Sequence, residues 1–256
     1  MIIQLCGVII VAQCIKFVKR NWHIPFLFFR KCGTIQQTEK EGKSMSVCFI
    51  VGAGDCKEQI CPAPGDFLIA ADGGADHLRR MGLLPHLMLG DLDSLRGAPP
   101  PCPLLQYPAE KDDTDLALAV EAGVARGYTT FLVFGALGGS RLDHTLGAVG
   151  LLPGYAARGL SVTLVGGGQR VFALAAGQEK RFSPKRRGYL SLFAAAGDAH
   201  GVSAENVKYT LADATLQAYT TLGVSNEFLP GAAARVAVRQ GTLLLVWQEE
   251  WEEDEK

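Results

Sequence analysis

The chain reads as an α/β protein in two parts: a mostly parallel α/β domain over residues 45–166, then an all-β, sandwich-like domain over residues 167–248. Three observations predict this. Between residues 45 and 166, short continuously apolar runs alternate with stretches of helical periodicity, the pattern of strands buried on both faces of a parallel sheet. After Gly166-Gly167-Gly168 the helical spacing stops, and short strand-like runs follow one another directly. Finally, loops rich in glycine and aspartate fall just after the strands of the first part, where parallel folds bind their ligands.

The strands expected in the first part are Cys48–Val51, Phe67–Ala71, 87–89, Thr130–Phe134 and 162–165. Helices are expected over 75–81, 115–126 and 143–158. In the middle one Leu116, Ala119, Val120, Gly123 and Val124 recur at i, i+3, i+4, i+7 and i+8, a single helix face. Thr114 or a neighbouring aspartate caps it, and the acidic cluster there suits the helix dipole. In the second part strands are expected at 171–173, 178–182, 189–193, 207–211, 235–238 and 243–247. Arg235-Val236-Ala237-Val238-Arg239 alternates polar with apolar, and Gln240-Gly241 reads as a hairpin turn into the last strand. Residues 249–256 read as a solvated acidic tail.

At 256 residues, 48% hydrophobic and 20% charged, the composition is that of a globular protein with a sizeable core. A formal net charge of −1 gives no general attraction to nucleic acid or anionic membrane, so neither is expected as a partner. Seven scattered cysteines form no CxxC pair and no zinc-spaced cluster, which points to a reduced, cytoplasmic setting. Residues 1–44 differ from the rest. Seven basic and two acidic residues make them +5 and leave residues 45–256 at −6. Their apolar run precedes the basic residues, the reverse of a secretory signal. Interrupted by Gln4, Gln13 and Lys16, it falls short of the ~20 residues a spanning helix needs. A disordered or non-native extension is expected there, with a membrane anchor as the alternative.

The chemistry gathers on aspartates. GDLDS places Asp91 and Asp93 directly after an apolar run, and EKDDTDLALA places Asp112, Asp113 and Asp115 before a helix. Carboxylates this close repel one another unless a positive group sits between them. Mg²⁺ bearing a polyphosphate answers that need, since it takes oxygen ligands and binds through one or two carboxylates plus phosphates. In an extended segment Asp91 and Asp93 face the same side, which suits a shared metal; the alternative is a turn closed by local Asx bonds.

Four further loops bear on the same site. Gly52-Ala53-Gly54 is a GxG turn that lets backbone amides approach phosphate, or else a plain tight turn. Asp72, before Gly73-Gly74, is a carboxylate on a turn into a helix and a candidate for metal binding or for capping. Lys111 precedes the second aspartate group. After the strand ending at Phe134, a glycine-rich loop leads to Arg141, able to bind a phosphate oxygen. Asp143 caps the next helix or holds Arg141, and His144 reads as a helix-start residue.

Taken together, GAG, ADGGA, GDLDS, YPAEKDDTDLALA, GGSRLDHTLG and TTLGVSNEF occur in the order and spacing of the thiamine pyrophosphokinases. From about residue 47 to 247 the chain resembles the bacterial form of that family, although it reads GGSRLDH where members often read GGRxDH. The resemblance implies an α/β nucleotide domain followed by a β-sandwich in a homodimer with active sites at the subunit interface. It implies Mg²⁺-dependent transfer of the diphosphate of ATP to the hydroxyl of thiamine, releasing AMP. By motif match, Asp72, Asp91, Asp93 and Asp115 are the metal and diphosphate candidates. Arg141 and Asp143 fall on the ATP side, and Ser225 and Asn226 approach the thiamine pyrimidine. Lys111 or Arg141 compensates further phosphate charge, and Asp115 or Asp93 is the candidate base. Two rivals remain: a metal-dependent phosphatase or sugar-nucleotide transferase using Asp91 and Asp93, and a thiamine or nucleotide sensor without turnover.

Overall fold

The computed structural model describes residues 46–185 and 187–248. The extension expected over 1–44 and the acidic tail expected over 249–256 lie outside the described residues. The protein is a mixed α/β structure dominated by its sheet, with three helices among the described residues.

Six strands run parallel: β1 (Cys48–Val51), β2 (Phe67–Ala71), β3 (Leu87–Gly90), β4 (Leu104–Gln106), β5 (Thr130–Phe134) and β6 (Ser161–Gly166). Their order is β4-β3-β2-β1-β5-β6, with Ile50, for example, opposite both Ile69 and Val133. The chain thus winds outward from β1 in one direction as far as β4, then returns to β1's other side with β5. The crevice at that reversal, outside the carboxyl ends of the strands, is where such sheets bind ligands.

Helix α1 (Gly74–Arg80) packs on β1 and β2, α2 (Asp115–Val124) on β1, β2 and β3, and α3 (Leu142–Ala157) on β6. Although β1 is apolar throughout, its side chains alternate between two cores. Cys48 and Ile50 join the core that includes Val120 of α2 and Leu152 of α3, while Phe49 and Val51 join the one around Leu78 of α1. Burying both faces explains why these strands read as unbroken apolar runs.

At Gly167 and Gly168, both with positive φ, the chain turns back and the sheet continues in antiparallel form. The remaining strands are β7 (Gln169–Leu174), β8 (Glu179–Arg181), β9 (Tyr189–Glu205), β10 (Leu211–Leu216), β11 (Asn226–Glu227), β12 (Arg235–Ala237) and β13 (Gln240–Gln248). Beyond β6 the order is β7-β13-β9-β12-β8, with β10 and β11 also paired to β9. Here too one strand serves two cores. Val171 and Ala173 of β7 lie in the helix-covered core, whereas Phe172 and Leu174 join Leu192, Val236, Leu245 and Trp247 in a second, all-β core.

Several boundaries differ from the sequence expectation. Residues 240–241 are not a hairpin turn: β12 and β13 both pair with β9 and not with each other, and a pairing irregularity falls between Gln240 and Thr242. β9 runs for 17 residues rather than five, because Ala196 and Gly197, at φ +57 and +119, bend the strand without ending it. β10 begins at Leu211, while Val207 forms a single bridge to Phe228. β4, three residues at the sheet edge, and the two-residue β11 leave no alternation long enough to read.

Candidate active site

The site is built on the loops that leave the carboxyl ends of β2 and β3. Asp72 directly follows β2 in a left-handed conformation (φ +46); its N–H donates to the Leu89 carbonyl (2.9 Å) and its Oδ1 accepts the Leu92 N–H (3.1 Å). This tight apposition requires Gly90, at φ +135, since a Cβ there would lie 1.8 Å from Asp72 Oδ1. The Gly73 N–H donates to Ser94 Oγ (2.9 Å), so the two loops are stitched together beside the carboxylate.

Residues 91–94 are a turn, not the extended segment expected. Leu92 sits at φ +72 and Asp91 Oδ1 accepts the Asp93 N–H at 3.1 Å, the Asx bond of the alternative reading. The turn nevertheless brings the carboxylates round to one side. One oxygen each from Asp72, Asp91 and Asp93 lies within 4.8 Å of the other two.

Asp115, the first residue of α2, joins this group through Lys111. The Lys111 ammonium donates to Asp91 Oδ2 at 3.2 Å and lies 3.0 Å from Asp115 Oδ1. That Asp115 oxygen is buried and receives no aligned hydrogen bond among the described residues, so the ammonium beside it acts as a charge alone. Thr114 Oγ1 caps α2 by accepting the Ala117 N–H (3.2 Å), which leaves Asp115 free of capping duty.

The electrostatics follow from this crowding. Burial pushes Asp72 up to about 7, helped by the Asp115 carboxyl and opposed by the Leu92 N–H. Asp91 is held below the usual carboxylate range by the Asp93 N–H and then by Lys111. Burial disfavours the charge on Lys111, yet the neighbouring Asp115 and Asp91 carboxylates outweigh that and raise it. A buried carboxyl that favours its proton, an orphaned carboxylate oxygen nearby and three converging carboxylate oxygens fit a small hard divalent cation such as Mg²⁺.

The remaining predicted residues lie apart from this cluster. The Gly52 and Gly54 amides donate to the Phe134 and Gly135 carbonyls at 2.8 and 3.0 Å and are therefore not available to phosphate. These glycines permit close backbone approach instead: a Cβ on Gly54 would lie 2.6 Å from the Gly135 carbonyl oxygen. Arg141 grips Asp143 with two parallel bonds, Nε to Oδ1 at 3.0 Å and Nη2 to Oδ2 at 2.7 Å. Both are exposed, and Arg141 lowers Asp143 to about 2. Asp143 thus holds the guanidinium and does not cap α3, which has no side-chain cap bond.

Ser225 and Asn226 lie at the far side of the sheet. β11 pairs with β9 on the side away from β13, seven strand spacings from β2, about 34 Å along the sheet at about 4.8 Å per strand. Asn226 is 2% exposed and its amide is engaged at both ends. Oδ1 accepts the N–H groups of Tyr209 and Glu227, both at 2.9 Å, and Nδ2 donates to the Tyr209 carbonyl at 2.7 Å. Ser225, at φ +59, is exposed, and its N–H donates to Ser191 Oγ. Sequence reasoning missed Ser191, Ser94 and Tyr209 as supports. Ser94 lies inside GDLDS, but nothing in the local sequence links Tyr209 to Asn226, 17 residues away.

Comparison with known proteins gives consistent matches. Residues 63–164 match the family described as thiamin pyrophosphokinase, catalytic domain, and residues 180–243 that described as thiamin pyrophosphokinase, vitamin B1 binding domain. A curated relative, thiamine pyrophosphokinase of Bacillus subtilis (strain 168), is 29% identical over 167 residues, 63% of this chain and 78% of the relative. The crystal structure of thiamin pyrophosphokinase from Geobacillus thermodenitrificans is 25% identical with a TM-score of 0.69, over 80% of this chain and 98% of that one. That of a thiamin pyrophosphokinase family protein from Enterococcus faecalis is 26% identical with a TM-score of 0.66, over 80% of this chain and all of the other.

Proposed function

The chain belongs to the thiamine pyrophosphokinase family, a family of enzymes, and from that premise we propose that it transfers the diphosphate of ATP to the hydroxyl of thiamine in a magnesium-dependent reaction. One observation supports this most directly: Asp72, Asp91 and Asp93 converge at the ends of β2 and β3, with Asp115 joined to them through Lys111. Mg²⁺ held by these four carboxylates would neutralise charge on the phosphate oxygens.

In this reaction the thiamine oxygen bonds to the β-phosphorus while the bond to the α-phosphate bridging oxygen breaks, and AMP leaves with the electron pair. This chain's residues contribute positioning and charge. Arg141, aimed by its two bonds to Asp143, offers a planar donor fork to phosphate oxygens. Lys111 supplies a second positive charge beside the carboxylates. Asp115, with its unbonded Oδ1, or Asp93 takes the proton from the hydroxyl. Ser225 faces the thiamine pyrimidine, while Asn226 holds the segment that presents it.

Seven strand spacings, about 34 Å along the sheet, separate Ser225 from its own chain's carboxylates, which argues against the two meeting over one substrate within a single chain. A homodimer solves this by setting Ser225 of one subunit opposite the aspartates of the other. The same reading assigns residues 45–166 to ATP, residues 167–248 to thiamine and the enzyme to the cytoplasm.

The test is incubation with ATP, Mg²⁺ and thiamine, followed by product analysis. AMP and thiamine diphosphate in equal amounts are expected. Inorganic phosphate alone would replace this reading with a phosphatase, and binding without nucleotide consumption would replace it with a sensor.

A further inference from the structure

Lys111 lies inside the carboxylate cluster, not at its rim. Its side chain is 13% exposed, and among the described residues its ammonium has two partners, Asp91 Oδ2 at 3.2 Å and Asp115 Oδ1 at 3.0 Å. Asp91 belongs to the trio whose oxygens converge within 4.8 Å, and Asp115 is tied to that trio by the shared ammonium. The backbone around Lys111 is weakly secured. Tyr107 is bonded to the Gly90 carbonyl and the Thr114 carbonyl accepts from Leu118, but residues 108–113 make no backbone hydrogen bond among the described residues. The ammonium can therefore withdraw without breaking secondary structure.

We propose that Lys111 is the resident counter-ion of the acidic site, holding Asp91 and Asp115 together in the metal-free protein and yielding Asp91 to a divalent cation when one binds. This rests on the proposed reading of the site and deepens it.

Three physical points support the assignment. Without a cation, adjacent carboxylates in a partly buried site repel one another, and an ammonium between two of them keeps the loops in register. Mg²⁺ demands near-ideal octahedral geometry at about 2.0–2.1 Å, so an oxygen that already accepts from an ammonium is a poorer ligand until that bond is released. Two positive centres sharing one carboxylate also repel each other. Lys111 should therefore weaken metal binding in the absence of nucleotide. Once released, its flexible ammonium is available to a phosphate oxygen arriving with the metal, the point-charge role that lysine suits.

The experiment is a titration of the metal-free, full-length protein with Mn²⁺ at pH 8 without nucleotide, reading free Mn²⁺ by electron paramagnetic resonance. Lys111→Met is expected to bind Mn²⁺ about tenfold more tightly than the wild type, whereas Lys111→Arg, which keeps the charge, stays near it. Equal or weaker binding by Lys111→Met would overturn the proposal. A second measurement needs no variant: acylation of Lys111 in the wild type, followed by mass spectrometry, is expected to speed up on adding Mg²⁺. Unchanged or slower labelling would also overturn it. If the wild type makes thiamine diphosphate while Lys111→Met leaves Mn²⁺ affinity unchanged, only the role of Lys111 fails. If Lys111→Met tightens Mn²⁺ binding in a protein that makes no thiamine diphosphate, the proposed reaction fails and the role of Lys111 stands.

Discussion

In the loops after β2 and β3, carboxylates converge with, among the described residues, a few main-chain N–H groups and the Lys111 ammonium to balance them. At the β11 end of the sheet the arrangement is the opposite. Asn226 is buried, and both ends of its amide are bonded to the backbone of Tyr209 and Glu227. Both regions carry motifs of polar residues, yet one leaves a buried carboxylate oxygen without a hydrogen bond while the other engages both ends of its amide. Under-satisfied buried polar groups call for a ligand, whereas saturated ones hold the architecture that a ligand meets.

The sharpest way to break this comparison is to neutralise the carboxylates. Asp91→Asn and Asp93→Asn are each expected to lower turnover at least about a thousandfold, measured as AMP release, with the thermal midpoint of Asp91→Asn slightly lowered, because Lys111 loses a charged partner. Near-normal activity in both variants would sink the metal-site assignment.

At the other end the expectation reverses. Asn226→Ala strips the Tyr209 N–H and C=O of their side-chain partner and should cost about 2–4 kcal/mol in urea unfolding. Loss of thiamine binding should then track loss of folding. If stability were untouched while thiamine binding vanished, Asn226 would have to be reassigned as a ligand contact.

A smaller effect concerns Asp72, whose carboxyl rises from an ordinary 3.8 to about 7 on folding. Between these values the folded protein binds more protons than the unfolded chain, so this group's contribution to stability falls as pH rises from about 4 to 7. Without metal, the thermal midpoint of the wild type relative to Asp72→Asn should drop by roughly a few degrees over that window. Added Mg²⁺ should flatten the difference by stabilising the charged form. A difference that is flat without metal would show that Asp72 is not crowded in the way its neighbours suggest.

Legibility followed the range of the physics involved. β1, β2 and β5 could be read to the residue because burial on both faces demands unbroken apolar runs. α2 was readable from its periodic face and from Thr114, which does cap it. The sequence shows only the first part of β9, because Ala196-Gly197 looks locally like a break, although β13 pairs with the strand on both sides of that bend, at Ala195 and again at His200. The Gln240-Gly241 turn failed for a similar reason: hairpin chemistry is local, but which strand lies next to β13 is not. In the site, the clustering of Asp72, Asp91 and Asp93 could be anticipated from their positions after adjacent strands. The burial of the Asn226 amide against Tyr209 could not.

What the amino-acid sequence alone determined is the inventory and its order. It set the aspartates in two segments beside strand ends, the arginine after a glycine-rich loop, the distant Ser225-Asn226 pair, and with them the family. These are facts of residue type and spacing, which fold-wide packing does not alter. The tertiary structure decided which of those atoms meet. The pairing of β2 with β3 and the positive φ angles of Asp72, Gly90 and Leu92 turn three carboxylates toward one another. The return of the chain from β4 to β5 through α2 brings Lys111 between two of the site's aspartates. Such contacts depend on register and backbone rotation across segments far apart in the chain, and no local pattern encodes them.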